Sequence, residues 1–317
     1  MYQRALDEKM FKDFQEGGVL HDLLDYVQSD DTLDLEFRGE GCANIYYRGG
    51  SLFRIKRSGD GYTLTFDTKY CTACDEGMEK TPSLRAEVGL IPLYKHAMDV
   101  WFAKNRKYER EFQQVVVREN NRHGEISHAS DYYITDVEYV SDEQSAKNSR
   151  FDMVAVKWLS TSSARKNESA PTLSVIEMKY GDNAYDGSAG LEKHLCDFDT
   201  FVRGVEMDAF CADMAKVFRQ KCKLGLIPDM AEKKHDILIS KEDMELIFLI
   251  ANHDPDKTKL GTVVDRIAEL AREREYPFTI KFATASMMGY TLYADQMKSL
   301  EKKGKKIKKK KKKKKKK

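Results

Sequence analysis

Nowhere in the 317 residues does an apolar run approach the ~20 residues that a membrane-spanning helix needs. The first residues, MYQRALDEKMFKDF, are charged throughout and lack the apolar stretch of a secretory signal. Both absences predict a cytoplasmic protein with no membrane partner. There are six cysteines, Cys42, Cys71, Cys74, Cys196, Cys211 and Cys222, and a cytosolic chain of this size does not need disulfides. Cys71 and Cys74 form CTAC, but no second CxxC and no HxxxH pair supplies the other two ligands of a structural zinc, so the motif is read as part of an irregular segment. G-x-x-x-x-G-K-[ST], G-x-S-x-G and G-x-G-x-x-G are also missing. Nucleotide hydrolysis, serine hydrolysis and dinucleotide binding therefore have no motif support. No internal repeat is visible.

The charge is unevenly spread. The formal net charge is +2, yet residues 302–317 hold 14 lysines and no acid, leaving 40 basic against 52 acidic residues in the rest. The body is acidic and the tail strongly basic. A block of like charge this long is expected to be disordered and to bind any polyanion through counterion release. No function is built on it.

With 41% hydrophobic residues, the chain is long enough for one large domain or two smaller ones. Leu20, Leu23, Leu24 and Val27 recur at helical spacing within residues 1–30. LDLEF, NIYYRGGSLFRIKR and YTLTF follow, with a Gly49-Gly50 turn, and predict an antiparallel β-meander over about residues 31–70. Residues 71–89 are polar and irregular, so an N-terminal region is placed at 1–89, a second domain at 90–301 and the tail at 302–317. A helix is expected from Pro92. KYEREFQQVVVREN (107–120) is a second, with Tyr108, Phe112, Val115, Val116 and Glu119 on one face. Strands are expected at DYYITDVEYV (131–140), RFDMVAVKW (150–158) and TLSVIEMKY (172–180), helices at 191–204 and 205–225, then a strand, a helix and a strand. This order predicts an α/β (α+β) fold with a mixed sheet flanked by helices.

Two of these apolar strands carry charge: Asp152 in RFDMVAV, Glu177 and Lys179 in VIEMKY. Alternation puts Glu177 and Lys179 on the same side of their strand. If the strands pair, Asp152 lies beside Glu177. Adjacent carboxylates repel unless a cation compensates them, and oxygen donors with open positions suit Mg²⁺ or Mn²⁺. A lysine beside such an ion can orient water and neutralise developing charge. The plain alternative is a solvent-facing ion pair across strands.

The order of helix, strand with Asp, strand with Glu-x-Lys and helix resembles the PD-(D/E)XK nuclease superfamily over about residues 105–290. Asp152 matches the motif's aspartate and Glu177-Met178-Lys179 its (D/E)XK; Phe151 stands where the motif's name has proline. The resemblance implies a restriction-endonuclease-like core and a metal-dependent nuclease, with DNA favoured over RNA. It implies Asp152, Glu177 and Lys179 as catalytic residues and Asp152, Glu177 and the Met178 carbonyl as metal ligands. It also implies a helix-borne glutamate in both sets. Glu109 and Glu111 border opposite edges of the same apolar face, and periodicity barely separates them; Glu109 is taken because E-x-x-F-Q resembles the family's helix. Lys193 and His194 are candidates for phosphate contact. Arg54, Lys56, Arg57, Arg165 and Lys166 are candidates to line a nucleic-acid groove. Three further expectations stay open: a non-cleaving binding or regulatory module on the same fold, a partner protein at the N-terminal region of a defence effector, and a homodimer.

Overall fold

A computed structural model describes residues 3–71, 84–122, 130–140, 150–166, 170–181, 185, 187, 190–204, 207–228, 237–252 and 258–285. The lysine-rich tail, Cys74, Asp182, Asp186, His123, His128 and His253 lie outside these residues. Among the described residues no helix is long and apolar enough to cross a membrane.

The N-terminal periodicity resolves into two helices, α1 (Glu8–Phe14) and α2 (His21–Ser29), not one. Asp7 caps α1 by accepting the Met10 amide at 3.0 Å. The chain then turns sharply at Gly17, which has φ +79°, and at Gly18, where a Cβ would lie 2.3 Å from the Asp13 carbonyl oxygen. Strands β1 (Leu33–Phe37), β2 (Cys42–Tyr47), β3 (Gly50–Ser58) and β4 (Gly61–Thr65) form the expected antiparallel meander in the order β1-β2-β3-β4. Tyr47 pairs with Gly50, so the β2–β3 loop has two residues, Arg48 (φ +51°) and Gly49 (φ +72°). Positive φ at both positions makes a type I′ turn, whose twist matches that of the strands.

Helix α3 (Leu84–Lys104) begins eight residues before Pro92 and carries that proline inside it. The expected irregular stretch to residue 89 therefore ends in helix. The proline is exposed, while neighbouring Ile91 and Tyr94 are fully buried, so packing on one side offsets the backbone hydrogen bond that proline removes on the other.

The second sheet has the order β5-β6-β7-β8-β9. Its strands are β5 (Tyr132–Val140), β6 (Arg150–Lys157), β7 (Thr172–Tyr180), β8 (Ser240–Ala251) and β9 (Thr279–Ala285). The pairs β5–β6 and β6–β7 are antiparallel; β7–β8 and β8–β9 are parallel. The long β6–β7 loop contains a short helix, α5 (Ser162–Lys166). Between β7 and β8 the chain forms α6 (Leu191–Gly204) and α7 (Met207–Lys223), and α8 (Leu260–Glu273) links β8 to β9. The protein is thus mixed α/β with one antiparallel and one mixed sheet.

Helix α4 (Tyr108–Asn121) lies between the sheets and contacts β1, β5 and β7. It buries Phe112, Gln113, Val117 and Asn121, whereas the expected face included Glu119, which is exposed. Hydrogen bonding explains the burial of Asn121: it donates to the Ile134 carbonyl and accepts the Ile134 amide, both at 2.8 Å. A hydrophobicity pattern does not register a polar side chain satisfied in this way. Both sheets share one apolar core that runs from Ala5 to Phe278. A buried ion triad ties them: Asp136 on β5 meets Arg4 at 3.0 Å and Arg38 at 2.8 Å. Lys221 on α7 reaches Glu36 on β1 at 2.8 Å, with both side chains almost fully buried.

Candidate active site

The three charged residues of the strand motif meet where the β6–β7 ladder ends. Its last pair is Met153 with Ile176, so the same register carried one step further sets Asp152 against Glu177. Asp152 Oδ2 accepts the Met178 amide at 2.8 Å. The carboxylate thus takes the place of a neighbouring backbone carbonyl, and the ladder stops there. The N–H and C=O of one strand residue project to the same side, so the Met178 carbonyl also points toward β6, where Asp152 lies.

Simple alternation holds in β7 but breaks in β6. Val154 and Val156 belong to the larger core, Met153 and Ala155 to a smaller one beneath α4, yet Phe151 belongs again to the larger core. The strand turns at Asp152, which lets its side chain reach across to β7. The same register sets Glu138 of β5 opposite Asp152, and Glu138 has φ +54°, a left-handed conformation costly for a residue with a Cβ. Phe151 holds the turned segment in place. Its ring packs on Phe198 and Phe201 of α6 at centroid distances of 5.5 and 5.0 Å. A proline at this position would make none of these contacts.

Glu177 and Lys179 are buried, at 3% and 5% exposure. Lys179 Nζ donates to Glu177 Oε1 at 2.8 Å. His194 enters from α6, whose Leu191, Leu195 and Phe198 anchor it in the core. Its Nε2 lies 2.9 Å from Glu177 Oε1 and 3.1 Å from Lys179 Nζ. Lys193 instead pairs with Asp197 on the exposed side of the helix. Of the two phosphate-contact candidates, then, one belongs to the charged cluster and the other to the surface. Only the three-dimensional packing of α6 separates these neighbours in sequence.

Geometry also separates the two helix-borne glutamates. Glu111 Oε1 accepts from Arg48 Nε, which turns it toward the N-terminal sheet. Glu109 is half-buried, and its charge acts on both Asp152 and Lys179. The first turn of α4 is pinned to the end of β7 by stacking of Tyr108 on Tyr180, with centroids 5.0 Å apart and planes inclined by 21°.

The electrostatics reflect crowding. Burial pushes the Asp152 carboxyl well above its usual range, the Glu177 charge adds to this and Glu109 adds a little more, against the Met178 amide and Lys179. Burial acts against the Lys179 ammonium, but the charge and hydrogen bond of Glu177, with Asp152 and Glu109, hold its pKa above the ordinary lysine value. The cluster is rich in oxygen donors and short of positive charge. Among the described residues no three His, Cys, Asp or Glu side chains form a ready-made cage for an ion. Magnesium commonly takes only one or two carboxylates, with water and substrate phosphates completing its shell. The donor set of Asp152, Glu177 and the Met178 carbonyl fits that chemistry.

Of the other sequence candidates, Arg54 and Lys56 are exposed on β3, and Arg57 is paired with Asp7 at 2.8 Å. The side chains of Arg165 and Lys166 are outside the described set. Cys71 is half-buried at the end of the N-terminal region. No family model, no characterised protein and no solved structure matches this chain.

Proposed function

We propose that this protein is a metal-dependent nuclease that hydrolyses phosphodiester bonds, with DNA the favoured substrate. The observation that carries the reading is the meeting of Asp152, Glu177 and Lys179 at one end of a mixed sheet, in an acidic cluster with one buried ammonium. The succession α4, β5, β6, β7, α6 and β8 supports a restriction-endonuclease-like core. Asp152 and Glu177, with the Met178 carbonyl and Glu109, would hold Mg²⁺ or Mn²⁺. Such an ion neutralises charge on a phosphoryl oxygen and lowers the pKa of bound water. Lys179, held by Glu177, would supply a fixed positive charge that neutralises negative charge developing on the phosphoryl oxygens and orients the attacking water. Glu109 adds negative charge from the first turn of α4 and favours cation binding. Arg54 and Lys56 offer exposed positive charge for a phosphate backbone.

The test is cleavage of plasmid, single-stranded DNA and RNA by purified protein with Mg²⁺, Mn²⁺ or EDTA. Cutting that requires the metal and is lost in both Lys179→Ala and Asp152→Ala supports the reading. Equal cutting by wild type and variants, or none by wild type, overturns it. Retained nucleic-acid binding would then favour a non-cleaving module on the same fold.

A further inference from the structure

His194 stands at the charged cluster with one ring nitrogen engaged. Nε2 lies within hydrogen-bonding distance of Glu177 Oε1 and Lys179 Nζ, while Nδ1 is buried and, among the described residues, has no hydrogen-bond partner. A neutral imidazole carries its proton on one nitrogen only. A buried N–H left without an acceptor is rarer in proteins than a bare acceptor left without a donor. In the neutral ring the lone Nδ1 is therefore the nitrogen without the proton, and Nε2–H donates to Glu177, the nearer of its two neighbours. Glu177 Oε1 then receives two hydrogen bonds, at 2.8 Å from Lys179 and 2.9 Å from His194. Among the described residues Oε2 receives none.

We propose that His194 is a positioning residue for Glu177: with Lys179 it saturates Oε1 and fixes the carboxylate so that Oε2 is the oxygen presented to a divalent cation. This rests on the nuclease reading for its purpose, though not for its geometry. A carboxylate held by one flexible lysine rotates about its last bond, whereas one held by two donors from different elements does not. The ring is well placed for this, because α6 is fixed by Leu191 and Leu195 on either side of it. Loss of such a supporting hydrogen bond typically weakens metal binding by roughly 10–100-fold.

The test compares His194→Gln, whose amide N–H reaches the position of Nε2, with His194→Leu, which fills similar volume without a donor. Mn²⁺ affinity is measured by calorimetry and cleavage by kcat and KM. Leu should weaken Mn²⁺ binding and lower kcat by about 10–100-fold with little change in KM, and Gln should restore most of both. Gln and Leu behaving alike would overturn the proposal. A measurement without mutation accompanies this: the ¹⁵N spectrum of histidine-labelled full-length protein. It should show His194 as the Nε2–H tautomer; the Nδ1–H tautomer would overturn the assignment even if both variants failed to fold. An Nε2–H tautomer in a protein that neither binds Mn²⁺ nor cuts nucleic acid would sink the nuclease reading and the metal-presenting role together, leaving only the hydrogen bond to Glu177.

Discussion

The Asp152 carboxylate caps the Met178 amide at 2.8 Å, and this bond joins the two halves of the charged motif across the end of a β-ladder. It places a buried carboxyl beside Glu177 and within the field of Glu109. The arrangement costs stability in the absence of a cation. Asp152→Asn keeps an oxygen that can accept the Met178 amide and removes the charge. The variant should lose cleavage yet melt a few degrees above wild type in EDTA. Mg²⁺ should raise the melting temperature of wild type and leave the variant unchanged, because a ligand stabilises only the state that binds it. Differential scanning in both conditions checks this.

The two glutamates of α4 should separate cleanly. Glu109→Ala should lower metal-dependent cleavage by at least about 10-fold, in line with loss of a supporting group at a metal centre. Glu111→Ala should leave cleavage within about two-fold and instead lower stability by up to about 1 kcal/mol, since its pair with Arg48 is partly exposed. Parallel cleavage assays and urea melts make the comparison.

Asp136 joins the N-terminal segment to the second sheet. It is 1% exposed and faces two guanidinium groups, Arg4 and Arg38. Asp136→Ala leaves both cations with one buried partner fewer and should cost about 3–5 kcal/mol. The loss is read from the shift in the urea midpoint. A cost below about 1 kcal/mol would show that the triad does not join the two sheets.

Asp34 on β1 gives a pH dependence with a defined sign. Burial, together with the neighbouring Glu36 and against Arg122 and Lys221, raises its carboxyl from 3.8 to about 7. Between these values the folded protein binds the proton and the unfolded chain does not. Stability from this group is therefore full below pH 4, falls as pH rises toward 7 and is level beyond. Glu36, also raised by burial, acts in the same direction. Asp34→Asn should flatten this slope and raise the melting temperature at pH 8 by a few degrees, measured across pH 4–8. An unchanged slope would place the titration elsewhere.

Much of the second sheet could be read from its strands. Apolar runs marked β5, β6 and β7 to within a residue or two, because strands buried on both faces read as nearly continuous apolar stretches. Helix α3 starts earlier than the sequence suggests because Pro92 reads as a start. The buried face of α4 was misread for a related reason: Asn121 is polar in composition and satisfied only by Ile134, a residue in another element.

The sequence by itself determined that Glu177 and Lys179 share a side of one strand and that an aspartate stands on the next. Tertiary structure alone decided that the Asp152 carboxylate accepts the Met178 amide, that Glu111 turns to Arg48 while the charge of Glu109 acts on the cluster, and that His194 rather than Lys193 reaches Glu177. Periodicity fixes the phase of an element about its own axis. It carries no information about which other element lies opposite, and every one of these choices is a contact between elements.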